Sequence, residues 1–225
     1  MMNFETKYLI RWGIPGWVFI LFSYVTYLSF GHKLFLGTEF TLTQLLGIMI
    51  PLGFIGIVLG YLMHQMYFSV NWIFSKQSSK ILQKILFIID DEEKITGIDN
   101  YKFDPHKAYF MLEYHWQKEL LIQDEKQREY IAERYRYMLT TIHGLGALLI
   151  SIALSLISVC VIMLFNGHNR FSVILVFVLL YLGFSVWKGF GYYSENLIYF
   201  QANFINAFHK KELKKPNNRE RIEIK

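Results

Sequence analysis

Ser151, Ser155 and Ser158 recur at steps of four and three inside an otherwise aliphatic run, in line with Gly144 and Ala147. Residues three and four apart share a helix face, so these positions form one small, partly hydroxylic stripe. Such a stripe serves as a packing seam between helices or as the wettable wall of a narrow pore, and the residue types suit both. Lys188 lies at the end of another apolar run. There its stem can snorkel along lipid, or its ammonium can join a charged ring at the inner mouth of an oligomeric pore. Pro51, Gly53, Gly56 and Gly60 make a second small-residue seam, which allows close helix approach and offers a gating kink at the proline.

A basic run interleaved with aromatic rings, Lys126, Arg128, Tyr130, Arg134, Tyr135 and Arg136, could hold a nucleotide or a single-stranded oligonucleotide by charge and stacking. Glu125, Glu129 and Glu133 interrupt it, which fits a solvated helix face equally well. Nucleophilic and metal chemistry find no foothold. His64, His106, His115 and His143 have no metal-ligand spacing, and no HExxH, GxSxG or phosphate-cradling glycine loop occurs. Arg136 and His143 share a six-residue separation with some HEPN ribonucleases, but Arg136 also suits a headgroup anchor. Cys160, the single cysteine, has no disulfide partner and is expected to pack. No enzymatic activity, cofactor or metal is expected.

The elements that must position these residues follow from hydropathy. Four uncharged apolar stretches, 12–30, 45–67, 144–165 and 171–187, approach the ~20 residues an α-helix needs to cross a bilayer. Hydrophobic residues make up 53% and charged residues 18%, too apolar for an ordinary soluble domain yet leaving room for a water-exposed part. The expected class is all-α, a polytopic membrane protein with four transmembrane helices and a helical cytosolic domain. The first stretch lacks an A-x-A cleavage site and reads as a retained anchor. Its Trp12 and Trp17 suit the headgroup boundary, with Pro15 in a first turn.

Orientation follows from charge. Eleven basic residues lie between the second and third stretches, and the outer loops hold only Lys33 and Arg170. Basic residues stay on the cytoplasmic side, which places both termini and the middle segment in the cytoplasm. The net charge of +5 is thus concentrated on one side. The expected organisation is a transmembrane hairpin over 1–75, whose second helix projects inward through 61–74; a cytosolic helical domain over 76–140; a second hairpin over 141–192; and a cytosolic helix with a basic tail over 193–225.

Within the cytosolic part, Ile81, Leu82, Ile85, Ile88 and Ile89 predict an amphipathic helix over 76–89, stopped by the acidic run 90–93. Gly97 and the Asp104–Pro105 pair mark a loop. No glycine or proline occurs from 108 to 140, which predicts one long helix running into the third span. Asp124 and Arg128 form a side-chain pair on it, and Gly144 and Gly146 offer a bend. Residues 166–170 form a tight hairpin, after which the stripe Tyr181, Ser185, Lys188, Tyr192, Glu195, Tyr199, Asn203 and Asn206 predicts a last helix that leaves the membrane. The tail after Pro216 reads as flexible.

Two membrane hairpins around a small helical cytosolic domain resemble the membrane subunits of bacterial antiviral defence systems, such as the tetrameric membrane component of Kiwa systems and the channel-like effector of Hailong systems. The resemblance is architectural and transfers no functional residue. It implies a homo-oligomer, of four subunits in the Kiwa case, and control by a nucleic-acid ligand in the Hailong case. Four helices in one chain leave little room for an aqueous path, so a pore needs several copies. Two functions follow: an oligomeric pore gated by a nucleotide, oligonucleotide or protein, or a non-conducting scaffold that recruits a cytosolic partner.

Overall fold

A computed structural model describes residues 6–30, 42–74, 77–89, 105–167 and 169–214. All regular structure among them is helical: α1 (Thr6–Ser29), α2 (Leu42–Phe68) running into a π-helical segment (Ser69–Phe74), α3 (Gln77–Ile88), α4 (Pro105–Ile122), α5 (Glu125–Asn166) and α6 (Arg170–Lys214). Expectations about the acidic run 90–93, Gly97 and the tail after Pro216 lie outside the described residues. The chain divides into two compact units. Unit 1 comprises Met1–Phe74 with Thr140–Tyr192, and unit 2 comprises Ser75–Leu139 with Tyr193–Lys225.

Among the described residues three helices are long and apolar enough to cross a membrane, over Gly47–Asn71, Glu125–Asn166 and Arg170–Phe208. Only 22%, 22% and 11% of their most apolar windows are buried within the chain. Exposed Phe54, Val58, Ile157, Leu164, Ile174, Phe177 and Leu180 leave a surface suited to hydrocarbon rather than water. The fourth expected span forms a helix, α1, but is not among these three. Gly13, Pro15, Gly16, two tryptophans, Tyr24, Tyr27 and several hydroxyls dilute its apolar character. It is also sheltered: from Trp12 to Ser29 only Ile14, Leu21 and Tyr27 are exposed.

Two local expectations are corrected. Pro15 lies in the interior of α1, not its first turn, because the helix begins at Thr6; without its N–H, it leaves a carbonyl one turn earlier without the usual partner. The long helix expected from 108 is two, broken at Gln123–Asp124. Asp124 acts as an N-cap, its Oδ1 accepting from the Gln127 amide at 3.1 Å and its carbonyl from the Arg128 amide at 2.9 Å. A carboxylate able to satisfy open amides can begin a new helix with no glycine or proline at the break. α5 runs without interruption through Gly144 and Gly146. A Cβ at Gly146 would collide with the Tyr67 ring, so the missing side chain makes room for an aromatic neighbour.

Unit 1 is organised around α1. Gly16 meets the backbone of Gly56, and Gly60 meets the carbonyl of Trp12, each too closely to admit a Cβ. Trp17 Nε1 donates to the Gly53 carbonyl at 3.1 Å, and Trp12 packs edge-on to Tyr61. Towards the other end, Ser29 Oγ lies 3.2 Å from Ser172 Oγ, and Asn169 Nδ2 donates to the Ser29 carbonyl at 2.8 Å. Asn169 also caps α6 by accepting from the Ser172 amide at 2.7 Å. Gly167, at φ 82°, supplies the left-handed residue that the α5–α6 turn requires.

Unit 2 has a core of Leu82, Ile85, Leu112, Trp116, Ile131, Ile198, Ala202 and Ile205. Trp116, 1% exposed, is surrounded by Tyr135, Phe200, Phe204 and Phe208 at centroid distances of 5.7 to 6.2 Å. Inward residues on α4 (Tyr109, Leu112, Trp116, Leu120) and on α6 (Ile198, Ala202, Ile205) recur at steps of three and four, as an amphipathic helix requires.

Candidate functional site

The serine stripe faces inward. Ser151 and Ser155 are both 0% exposed. Ser151 Oγ donates to the Pro15 carbonyl at 2.6 Å, and Ser155 Oγ donates back to the Ser151 carbonyl at 2.9 Å. Ser158 is half-buried, its Oγ 3.5 Å from Ser23 Oγ. Within one chain the Ser151 and Ser158 hydroxyls reach α1, and the Ser155 hydroxyl is satisfied inside α5. The glycine seam divides similarly. Gly56 and Gly60 are buried against α1, whereas Pro51 is exposed and Gly53 has open space where a Cβ would stand. Gly16, their counterpart on α1, escapes a reading of the sequence because Trp12 and Trp17 make that segment look like a headgroup anchor.

Lys188 is exposed on α6, its Nζ 5.6 Å from the Phe184 ring centroid and 5.4 Å from that of Trp187. Both rings belong to its own helix and hold the ammonium by cation–π attraction. Tyr181, Ser185 and Tyr192 are exposed along the same stripe. Between α2 and α5, His143 stacks 4.8 Å from Phe68 and 5.8 Å from Tyr67, with its Nδ1 buried and lacking a hydrogen-bond partner among the described residues. No three His, Cys, Asp or Glu side chains among the described residues are placed to hold a metal ion.

The basic run on α5 does not form one patch. At roughly 100° per residue, Arg128, Arg134 and Arg136 point about 200°, 80° and 280° around the helix from Lys126. Lys126, Arg134 and Arg136 are exposed and Arg128 is half-buried, and their divergence gives an anion no convergent grip. Unit 2 offers two other polar arrangements.

The first is a partly buried knot in which Glu113 Oε1 accepts three hydrogen bonds: from Tyr135 Oη at 2.8 Å, Gln201 Nε2 at 3.0 Å and Tyr109 Oη at 3.1 Å. It joins α4, α5 and α6 beside Trp116. Burial first, then the Glu113 carboxyl, pushes the Tyr109 hydroxyl far above its usual range. Gln201 is 1% exposed, and its Oε1 has no partner among the described residues.

The second arrangement is a cleft of about 770 Å³ between α3 and α6, lined by Lys80, Gln83, Lys84 and Phe87 on one wall and Glu195, Ile198 and Tyr199 on the other. Its size falls within the range of small-molecule sites. Sequence reading uses Lys80 and Lys84 only as the polar face of an amphipathic helix, because their pairing with α6 spans more than a hundred residues. Comparison with protein-family models, curated proteins and solved structures finds no match, so the reading of function rests on this geometry and on the sequence.

Proposed function

We propose that the chain is a homo-oligomeric, ligand-gated pore of the bacterial inner membrane, with unit 2 and both termini in the cytoplasm, and that its opening depolarises the membrane. The observation that carries this reading is α6, one uninterrupted helix of 45 residues. In unit 1 it presents the exposed stripe Tyr181, Ser185, Lys188 and Tyr192, and in unit 2 it supplies Glu195 and Tyr199 to the cleft. A ligand that displaces the cleft wall therefore acts on the same continuous helix that carries the polar stripe. Because Ser151 and Ser155 are engaged in packing, the pore wall is assigned to α6, with Lys188 favouring anions at the inner mouth. The architectural resemblance to defence membrane subunits supports an antiviral role and an assembly of four copies.

The test is conductance in planar bilayers and in triggered cells. Lys188→Glu should shift selectivity towards cations, more strongly at low ionic strength, where exposed charge is screened less. A triggered wild type that never changes membrane conductance removes the pore. Ser155→Leu is no clean probe, since it overfills a closed helix contact. The burial of Ser151 and Ser155 favours a second reading, a non-conducting scaffold that recruits a cytosolic partner.

A further inference from the structure

We propose that the α3–α6 cleft of unit 2 binds a small phosphate-bearing ligand that carries a flat or apolar portion and a hydrogen-bond donor. Lys80 and Lys84 lie one helical turn apart on the same wall and repel each other, as like charges at that spacing do. Neither ammonium makes an ion pair or hydrogen bond among the described residues, and Gln83 and Glu195 likewise make no side-chain bond there. A phosphate between the two lysines relieves the repulsion and receives two charge-assisted bonds.

The remaining lining narrows the class. Phe87 is 89% and Tyr199 55% exposed, large faces that an inorganic anion would leave in water but that a planar or apolar group would cover. Glu195, on the facing wall, accepts from an amino or hydroxyl group and repels additional negative charge. The cleft therefore prefers one phosphate to several. A mononucleotide meets this description, and so does a phospholipid headgroup. As the gating ligand it rests on the pore reading above; as a bound ligand it does not.

The experiment uses the full chain in nanodiscs, with two sources of the same chemistry. In phosphatidylcholine discs, adenosine monophosphate and pyrophosphate are titrated by calorimetry; in discs containing phosphatidylglycerol, retained lipid is counted by native mass spectrometry. Lys80→Gln combined with Lys84→Gln should weaken monophosphate binding, or lipid retention, at least tenfold with an unchanged helical spectrum and thermal transition. Glu195→Gln should strengthen pyrophosphate binding more than monophosphate binding, and Tyr199→Ala should weaken only probes that carry a ring or chain. Binding that survives the double lysine variant overturns the site, as does absence of binding in both arms. If the variant loses binding while no condition ever yields conductance, the site stands and the pore falls. If triggered conductance is identical in wild type and the lysine variant, and binding is too, the pore stands and the site falls.

Discussion

The two units differ in the side chains that join their helices. Unit 1 buries hydroxyls and glycine backbone (Thr26, Ser151, Ser155, Ser172, Gly16, Gly56) and exposes phenylalanines and leucines. Unit 2 buries Trp116, Leu112 and Ile85 and exposes lysines along α3. In water, apolar burial drives helices together. In lipid that drive is absent, and helices associate through close backbone approach and hydrogen bonds between them. The contrast is one of degree, since unit 1 also buries Ile152, Val159 and Leu179, and unit 2 also exposes Phe87 and Leu121. The sheltered α1 shows the same logic: the least apolar helix of unit 1 is the one its neighbours cover best.

The sharpest test of that contrast is Gly60→Leu. Its Cβ would meet the Trp12 carbonyl, which belongs to a packed backbone and cannot swing aside. Separation of α1 and α2 should cost about 3 kcal/mol or more, read as a lowered midpoint of unfolding in detergent or as loss of monodisperse protein. Gly53→Leu, on the same helix with open space around its Cβ position, should leave the fold within about 0.5 kcal/mol of wild type. If the two variants are equally damaging, close approach is not what holds unit 1. If Gly53→Leu instead changes subunit number alone, that open face is where copies meet.

The corresponding change in unit 2 is Glu113→Leu, which removes the acceptor shared by Tyr109, Tyr135 and Gln201. The expected loss is on the order of 2–3 kcal/mol, and Glu113→Gln, which keeps an acceptor, should lose about 1 kcal/mol. Denaturant unfolding monitored through Trp116 fluorescence reads both, with the other tryptophans replaced by phenylalanine in wild type and variants alike. Equal losses would mean that the side-chain volume matters and the carboxylate does not.

Several of these features were legible in the sequence. The period of Leu82, Ile85 and Ile89 predicts α3 to within one residue at each end, and the polar steps after Lys188 predict the continuation of α6. The glycine seam announces a close approach, but the identity of its partner does not follow from periodicity. The break at Asp124 is hidden because a cap residue that is also a good surface residue carries no unique signature. The Glu113 knot is hidden more deeply, since its members stand 22 and 88 residues from Glu113 and become neighbours only when α4, α5 and α6 pack. The serine stripe lies between these cases: its polarity is plain in the sequence, but what it faces is decided by α1, more than a hundred residues away.

A smaller effect follows from that stripe. Ser151→Ala removes the bond to the Pro15 carbonyl and should destabilise unit 1 by about 0.6 kcal/mol, the average for an interhelical hydrogen bond in a membrane. Ser155→Ala should cost less, because its bond stays within α5. Thermal unfolding of the two variants side by side ranks them, and the reverse order would mean that Ser151 is not what ties α5 to α1.

The finest measurement concerns the Tyr109 hydroxyl, whose ionisation reports how completely unit 2 excludes water from the knot. Its pKa is raised in the folded state, by burial foremost and by the Glu113 carboxyl next. The folded chain therefore holds this proton more tightly than the unfolded chain, in which tyrosine ionises near pH ~10. The resulting stability is fully present below ~10 and declines as pH rises above it, since the unfolded state loses a proton that the folded state keeps. Absorbance at the tyrosinate band, recorded for wild type minus Tyr109→Phe, should show no ionisation near pH ~10 and a step only where the helical signal is also lost. Glu113→Gln should move that step down only part of the way, because the larger cause, burial, remains. A Tyr109 signal that titrates reversibly at the ordinary pH, with the fold intact, would show that the knot is open to solvent and that unit 2 lacks the dry interior on which its contrast with unit 1 depends.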